Sequence, residues 1–284
     1  MMSYFKQFIR DWLPPAITHF IQNLRHQPRN HGAITFEGDY QTWEKAQADS
    51  SGYNQAEILE KVKNATLKVK HGQAVYERDS VLFDQIEYAW PVLAGLMWVA
   101  AQNNGKLHVL DFGGSLGSSY FQNRQFLSNL TEVTWSVVEQ SHFVECGREF
   151  IADDCLQFYL TIDECLEKRS PNVILLSGVL QYLENPFLIL HKLGSTKANF
   201  LIIDRTPFSI ENRNYLLIQQ VYPEIYRASY PIWIFAVSKF EKYLSSSWFL
   251  LSKFNNSEGN VLSSQGLSFF FQGLIYKRND YAKN

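Results

Sequence analysis

The chain has 284 residues, of which 46% are hydrophobic, 19% charged and 15% aromatic, and 26 basic against 28 acidic residues leave a formal charge of −2. The apolar fraction excludes a disordered chain, and the length suits one large domain or two smaller ones. The balanced charge excludes a general nucleic-acid binder, for which a strongly basic balance is expected.

Residues 1–22 read as an amphipathic helix. Tyr4, Phe5, Phe8, Ile9, Trp12 and Leu13 recur at helical spacing beside Lys6 and Arg10, and Pro14-Pro15 ends the segment. Its charges interrupt the apolar run that a signal peptide needs. Two readings stand: docking on the protein's own surface, or peripheral contact with a partner or the inner face of a membrane. Elsewhere no apolar run reaches the roughly 20 residues of a membrane span. Residues 23–105 are expected to form a helical cap, with helices near 42–47 and over 55–70. A third helix is predicted from an Asp79-Ser80 cap to about residue 100, divided at Pro91.

From Lys106 the pattern changes. Strand-like runs at 107–110, 133–138, 156–160, 173–176 and 200–203 alternate with helical stretches at 121–130, 141–152 and 185–193, and with a short helix capped by Asp163. This rhythm predicts an α/β, Rossmann-like, mostly parallel sheet covered by helices on both faces. Runs at 248–254 and 267–276 suit a closing antiparallel pair. Residues 205–237 form a long, aromatic-rich connection at the ligand end of such a sheet, which suits a substrate lid. The aromatics there either stack on a ligand or pack the insertion onto the sheet.

The chemistry is concentrated in Asp111-Phe112-Gly113-Gly114-Ser115-Leu116-Gly117, after the first strand of the series. Placed at Gly113, the dinucleotide pattern GxGxxG finds one of its three glycines. An acid followed by glycine at every second position, the pattern of S-adenosylmethionine (SAM) enzymes, finds Asp111, Gly113 and Gly117, with Ser115 in place of the middle glycine. SAM carries an ammonium and a sulfonium and no phosphate, so a carboxylate beside the loop suits it and repels a pyrophosphate. Glu139 ends the second strand, where an acid accepts hydrogen bonds from ribose hydroxyls. Ser177 and Asp204 end later strands and border the same crevice. The expected cofactor-binding set is Asp111, Gly113, Gly114, Ser115, Gly117, Glu139 and Ser177.

The stretch 107–203 resembles the core of a class I SAM-dependent methyltransferase. From Phe36 onward the chain is similar to a bacterial family of predicted methyltransferases associated with surface-polysaccharide gene neighbourhoods. The likeness is carried by Phe36-Glu37-Gly38-Asp39-Tyr40, Trp43, Gly52-Tyr53, Val75-Tyr76-Glu77-Arg78-Asp79-Ser80, the glycine loop, Val179-Leu180-Gln181-Tyr182-Leu183, Ile203-Asp204-Arg205-Thr206-Pro207-Phe208 and Ala228-Ser229-Tyr230-Pro231. The resemblance implies a seven-stranded sheet with one reversed strand over 106–278, SAM as methyl donor, and cytoplasmic, glycan-related work.

Transfer to a sugar hydroxyl calls for a general base, and Asp204 and His142 are the candidates. Arg205, Tyr182, Tyr226 and Tyr230 are expected on the acceptor, which is a small molecule or glycan. The block Glu77-Arg78-Asp79 either reaches the site or caps a helix in solvent. The expected reaction is O-methylation of a sugar, nucleotide-sugar or surface-glycan component. An NAD(P)-dependent oxidoreductase and a non-catalytic methyltransferase-like module are the alternatives. The three cysteines, Cys146, Cys155 and Cys165, form neither a disulfide framework nor a zinc motif. The scattered histidines suggest no metal.

Overall fold

The computed structural model describes residues 34–51, 55–78, 81–221 and 228–279. The predicted helix 1–22, the Asp79-Ser80 cap, Gly52-Tyr53 and Tyr226 lie outside the described residues.

The centre is a sheet built by a βα series. Its strands are β4 (Lys106–Phe112), β5 (Glu132–Val138), β6 (Leu156–Tyr159), β7 (Val173–Ser177) and β8 (Phe200–Ser209). The pairs β4–β5, β4–β7, β5–β6 and β7–β8 are all parallel. β11 (Trp248–Leu262) and β12 (Ser268–Arg278) close the sheet, and β12 lies antiparallel to both β8 and β11. The order β6-β5-β4-β7-β8-β12-β11 is therefore the expected seven-stranded, Rossmann-like sheet with one reversed strand. Successive β4 side chains serve opposite faces. Val109 joins a core with Val92, Leu96 and Val99 of α3 (Trp90–Gln102) and Phe121 of α4 (Ser118–Leu127). Leu110 joins a second core with Leu190 and Leu193 of α7 (Pro186–Gly194) and Phe240 of α8 (Val237–Leu244).

Among the described residues the sheet has ten strands, because three more are added beyond the seven. β9 (Tyr215–Val221) and β10 (Ala228–Ala236) form an antiparallel pair, and β1 (Thr35–Glu37) pairs antiparallel with β9. β7 occupies one edge of β8 only as far as Ser177 opposite Asp204, and β10 joins β8 further along, at Phe208 and Ser209. The added strands thus stand beyond the carboxyl end of β7. In the segment 205–237, the described residues are mostly strand.

The N-terminal region holds α1 (Trp43–Asp49) and α2 (Gln55–Lys70), near the two helices expected there. It differs from the prediction after residue 75. β2 (Tyr76–Arg78) and β3 (Val81–Phe83) pair as a hairpin, and the third helix begins at Trp90. Pro91 explains the shift: it lacks an N–H and fits the first helical turn, so it starts α3 instead of dividing it. The helix expected over 141–152 is α5 (Ser141–Cys146) followed by a π-helical turn, Gly147–Ile151. The cap of α6 (Ile162–Lys168) is Thr161, whose hydroxyl accepts from the Glu164 amide, and not Asp163. Among the described residues, no helix is long and apolar enough to cross a membrane.

Candidate active site

The strand order reverses between β4 and β7, and ligands of open α/β sheets bind outside the carboxyl ends of the strands at such a point. The ends of β4, β5 and β7 carry Asp111 to Ser115, Glu139 and Ser177-Gly178. Asp204-Arg205, expected to end their strand, lie mid-way along β8, which runs on to Ser209 because β12 and β10 continue to pair with it past the point where β7 stops. Three cavities of about 470, 510 and 740 Å3 open there, and Gly178 lines all three.

The largest cavity is bounded by Phe112, Gly113, Val138, Glu139, Phe143, Leu160 and Tyr230. Glu139 is half-buried and accepts the Gln140 amide at 2.7 Å, and burial raises its pKa against the lowering effect of that bond. Among the described residues, no lysine or arginine lines this cavity. The Gly113 amide donates to the Val138 carbonyl at 2.9 Å, so it is not a bare N–H for a phosphate.

The glycine loop turns through left-handed backbone at Gly113, Ser115 and Gly117, with φ of 74°, 53° and 91°. A Cβ on Gly113 would fall 2.3 Å from Val179 Cγ2, and one on Gly114 would fall 2.5 Å from Asp111 Oδ2. These two glycines let the loop close onto its neighbours. Asp111 sits beneath it, 1% exposed, and accepts the Trp135 indole N–H at 2.9 Å. Burial pushes its pKa up to about 7, opposed by the Trp135 hydrogen bond and by Arg205 and reinforced by Glu139. Trp135 as the partner of Asp111 was hidden from sequence reasoning, since a strand tryptophan looks like ordinary core.

The second cavity, of about 470 Å3, holds Asp111, Ser115, Ser177 and Asp204. Asp204 is buried and accepts two hydrogen bonds, from Ser177 Oγ at 2.9 Å and from Asn256 Nδ2 at 2.7 Å. Asn256 lies on β11, in the stretch expected to be a linking loop, so its role had no sequence signal. Its own Oδ1 is buried without a hydrogen-bond partner.

The third cavity, of about 510 Å3, joins Phe36, Phe83, Val261 and Phe271 to Gln181, Tyr182, Gln219 and Tyr230. Tyr182 donates to Gln219 Oε1 at 3.0 Å, and Gln219 Nε2 donates to the Tyr230 hydroxyl at 3.2 Å. The two tyrosine rings meet edge to face at 5.2 Å. Gln181 Nε2 donates to the Arg205 carbonyl at 3.0 Å, while its buried Oε1 has no hydrogen-bond partner. Arg205 has a φ of 49°, an uncommon conformation for a non-glycine residue inside a strand. A Cβ on Gly178 would lie 3.1 Å from Arg205 Nη2, so the guanidinium rests on that glycine.

Of the sequence-predicted residues, Asp111, Gly113, Gly114, Ser115, Glu139, Ser177, Tyr182, Asp204, Arg205 and Tyr230 line these cavities. His142 and Gly117 line none of the three: His142 sits on α5 against the Phe143 ring, and a Cβ on Gly117 would press on Leu156. Phe208 and Phe235 are fully buried core, and Trp233 stacks on Trp43 and donates to the Leu183 carbonyl. Of the described aromatics expected to line a lid, Tyr230 is the one that reaches the cavities. The buried Cys165 thiol is pushed up to about 11 by desolvation, which makes it a poor nucleophile. Among the described residues no group of acids, histidines and cysteines could hold a metal ion.

No protein-family model and no curated protein matches the chain. Solved structures match at a distance. The N-terminal domain of EvdMO1, crystallised in the presence of S-adenosylhomocysteine (SAH) and D-fucose, has a TM-score of 0.46 at 10% identity, over 80% of this chain and 98% of that one. An S-adenosylmethionine-dependent methyltransferase from Clostridium acetobutylicum scores 0.41 at 12% identity, over 65% and 89% of the two chains. Magnesium protoporphyrin IX methyltransferase from Synechocystis, with bound SAH, scores 0.41 at 14% identity, over 67% and 82%.

Proposed function

We propose that the protein is a SAM-dependent methyltransferase acting on a hydroxyl of a sugar or nucleotide-sugar. The observation that carries this reading is the largest cavity: a half-buried carboxylate, Glu139, at the end of β5, apolar walls and, among the described residues, no lysine or arginine. A ribose diol would satisfy the carboxylate, and Phe143 and Leu160 would flank an adenine. A dinucleotide fits poorly, because its pyrophosphate would find no cationic side chain among the described residues there.

Bound SAM would supply an electrophilic methyl group on a sulfonium. Glu139 would hold its ribose, and Asp111, beneath the loop, would face its cationic methionine end. Asp204 is the proposed general base. Ser177 and Asn256 fix the two carboxylate oxygens, and the remaining lone pairs can take a hydroxyl proton as the oxygen attacks. The unpartnered Asn256 Oδ1 beside Asp204 calls for a donor, which a hydroxyl-rich acceptor provides. His142 has no part in this scheme.

Calorimetry tests the assignment. The wild type is expected to bind SAH, and Glu139→Ala to weaken it at least tenfold. Asp204→Asn is expected to keep SAH affinity while turnover falls by about 10²–10⁴-fold, the usual contribution of a general base. Preference for NAD over SAH would overturn the reading.

A further inference from the structure

We infer that the acceptor carries a phosphate or diphosphate link, held between Arg78 and Arg205, with a ring system beyond it in the apolar cavity. This deepens the methyltransferase reading and rests on it for the transferred group.

The two smaller cavities share two cationic residues. Arg78 and Arg205 line both the cavity holding Asp204 and the cavity holding Phe36, Phe83 and Phe271, and among the described residues no other lysine or arginine lines either. Among the described residues, positive charge around these two cavities is thus confined to the passage between them. On one side of the passage lie Asp204 and Asn256, suited to a reacting hydroxyl. On the other lies an apolar chamber of about 510 Å3, with one buried, unpartnered acceptor, Gln181 Oε1. A ligand matching all three parts has a hydroxyl-bearing ring, an anionic link and a second ring with a hydrogen-bond donor. A nucleoside-diphosphate sugar has that order of parts.

The two arginines are set by backbone. Arg78 ends β2, with its guanidinium 5.7 Å from the Phe83 ring centroid. Arg205 reaches the passage through its left-handed φ of 49°, with its carbonyl held by Gln181 and its guanidinium on Gly178. Strained backbone of this kind persists where surrounding structure enforces it. The rim is mixed in sign: Glu87 approaches Arg78 at 3.6 Å, and Glu258 lines both cavities. A planar guanidinium still offers paired N–H donors to phosphate oxygens, which suits this link better than a bare sugar.

The test titrates the full chain, with and without saturating SAH, using UDP, GDP, ADP and dTDP, the matching nucleosides, inorganic phosphate and glucose. At least one nucleoside diphosphate should bind tenfold or more tightly than its nucleoside, equally well with SAH present. Arg78→Gln and Arg205→Asn should each weaken that binding at least tenfold while SAH affinity changes less than twofold. Asparagine is chosen because it tolerates left-handed backbone, and Arg205→Lys provides a second variant of retained charge, expected to restore part of the affinity. Absence of nucleotide binding, displacement by SAH, or unchanged affinity in both arginine variants would overturn the proposal. SAH binding, read in the same titrations, reports separately on the methyltransferase reading.

Discussion

Ser115 stands where a SAM-type loop carries its middle glycine, and it adopts the left-handed backbone that glycine would supply, with φ at 53°. The turn is kept at a conformational cost of about 1–2 kcal/mol for a non-glycine residue. Ser115→Gly is therefore expected to raise stability by about 1 kcal/mol, seen as a higher denaturant midpoint, with SAH affinity retained. Asp111 gives a prediction with a sign in pH. Its pKa rises from 3.8 to about 7, so between these values the folded chain holds a proton that the unfolded chain releases. Stability from this group falls as pH climbs through that window, by at most about 4 kcal/mol. Asp111→Asn keeps an acceptor for the Trp135 N–H and removes the charge. Its melting temperature relative to wild type should rise steadily from pH 4 to pH 8. A flat difference would mean that Asp111 ionises freely. Its SAH affinity should fall, because the carboxylate facing the methionine end is gone.

At the scale of elements, β8 decides what the site can do. Along one edge its first half pairs with β7 and its far end with β10, while β12 runs along the other edge of both. The strand rhythm from Lys106 onward was legible because both-face burial writes near-continuous apolar runs such as 173–176 and 200–203. The added strands were not, because β1 is three residues long and its partner β9 lies far along the chain. Short strands leave little periodic signal, and prolines and polar residues made 205–237 look like a loop. For the same reason the candidate site was half legible. The loop, Glu139 and Ser177 announced themselves at strand ends and Asp204 at the close of an apolar run, although its strand continues to Ser209, whereas Asn256 and Gln219 acquire roles only through pairing partners remote in sequence. The β1 attachment can be tested directly. Phe36 is 6% exposed and packs edge to face on Phe269 at 5.1 Å. Phe36→Ala should cost about 3–5 kcal/mol if the rest stays rigid, and should lower kcat/KM for acceptor while SAH affinity holds. The closing pair is as tightly constrained: a Cβ on Gly273 would fall 2.0 Å from Phe254 Cζ, so Gly273→Ala should destabilise by about 1–3 kcal/mol on chemical denaturation.

Across the whole molecule, two cores on opposite faces of one sheet place the greatest burial at β7 and β8. Native-state hydrogen exchange should show these amides opening last, and β1 and the β2–β3 hairpin opening first. Uniform protection would contradict that gradient. The position of β12 has a consequence for synthesis on the ribosome. It lies between β8 and β11, yet it is made only after 210–267. Until then, a nascent chain that has already assembled β4 to β8 exposes one bare edge of β8, with unpaired backbone groups along an apolar strand. Completion of the fold is thus an insertion rather than an extension, and it comes late. A stalled or truncated chain ending before residue 268 would carry the Asp111–Glu139 shelf together with an unshielded strand, and would be a natural target for chaperone capture.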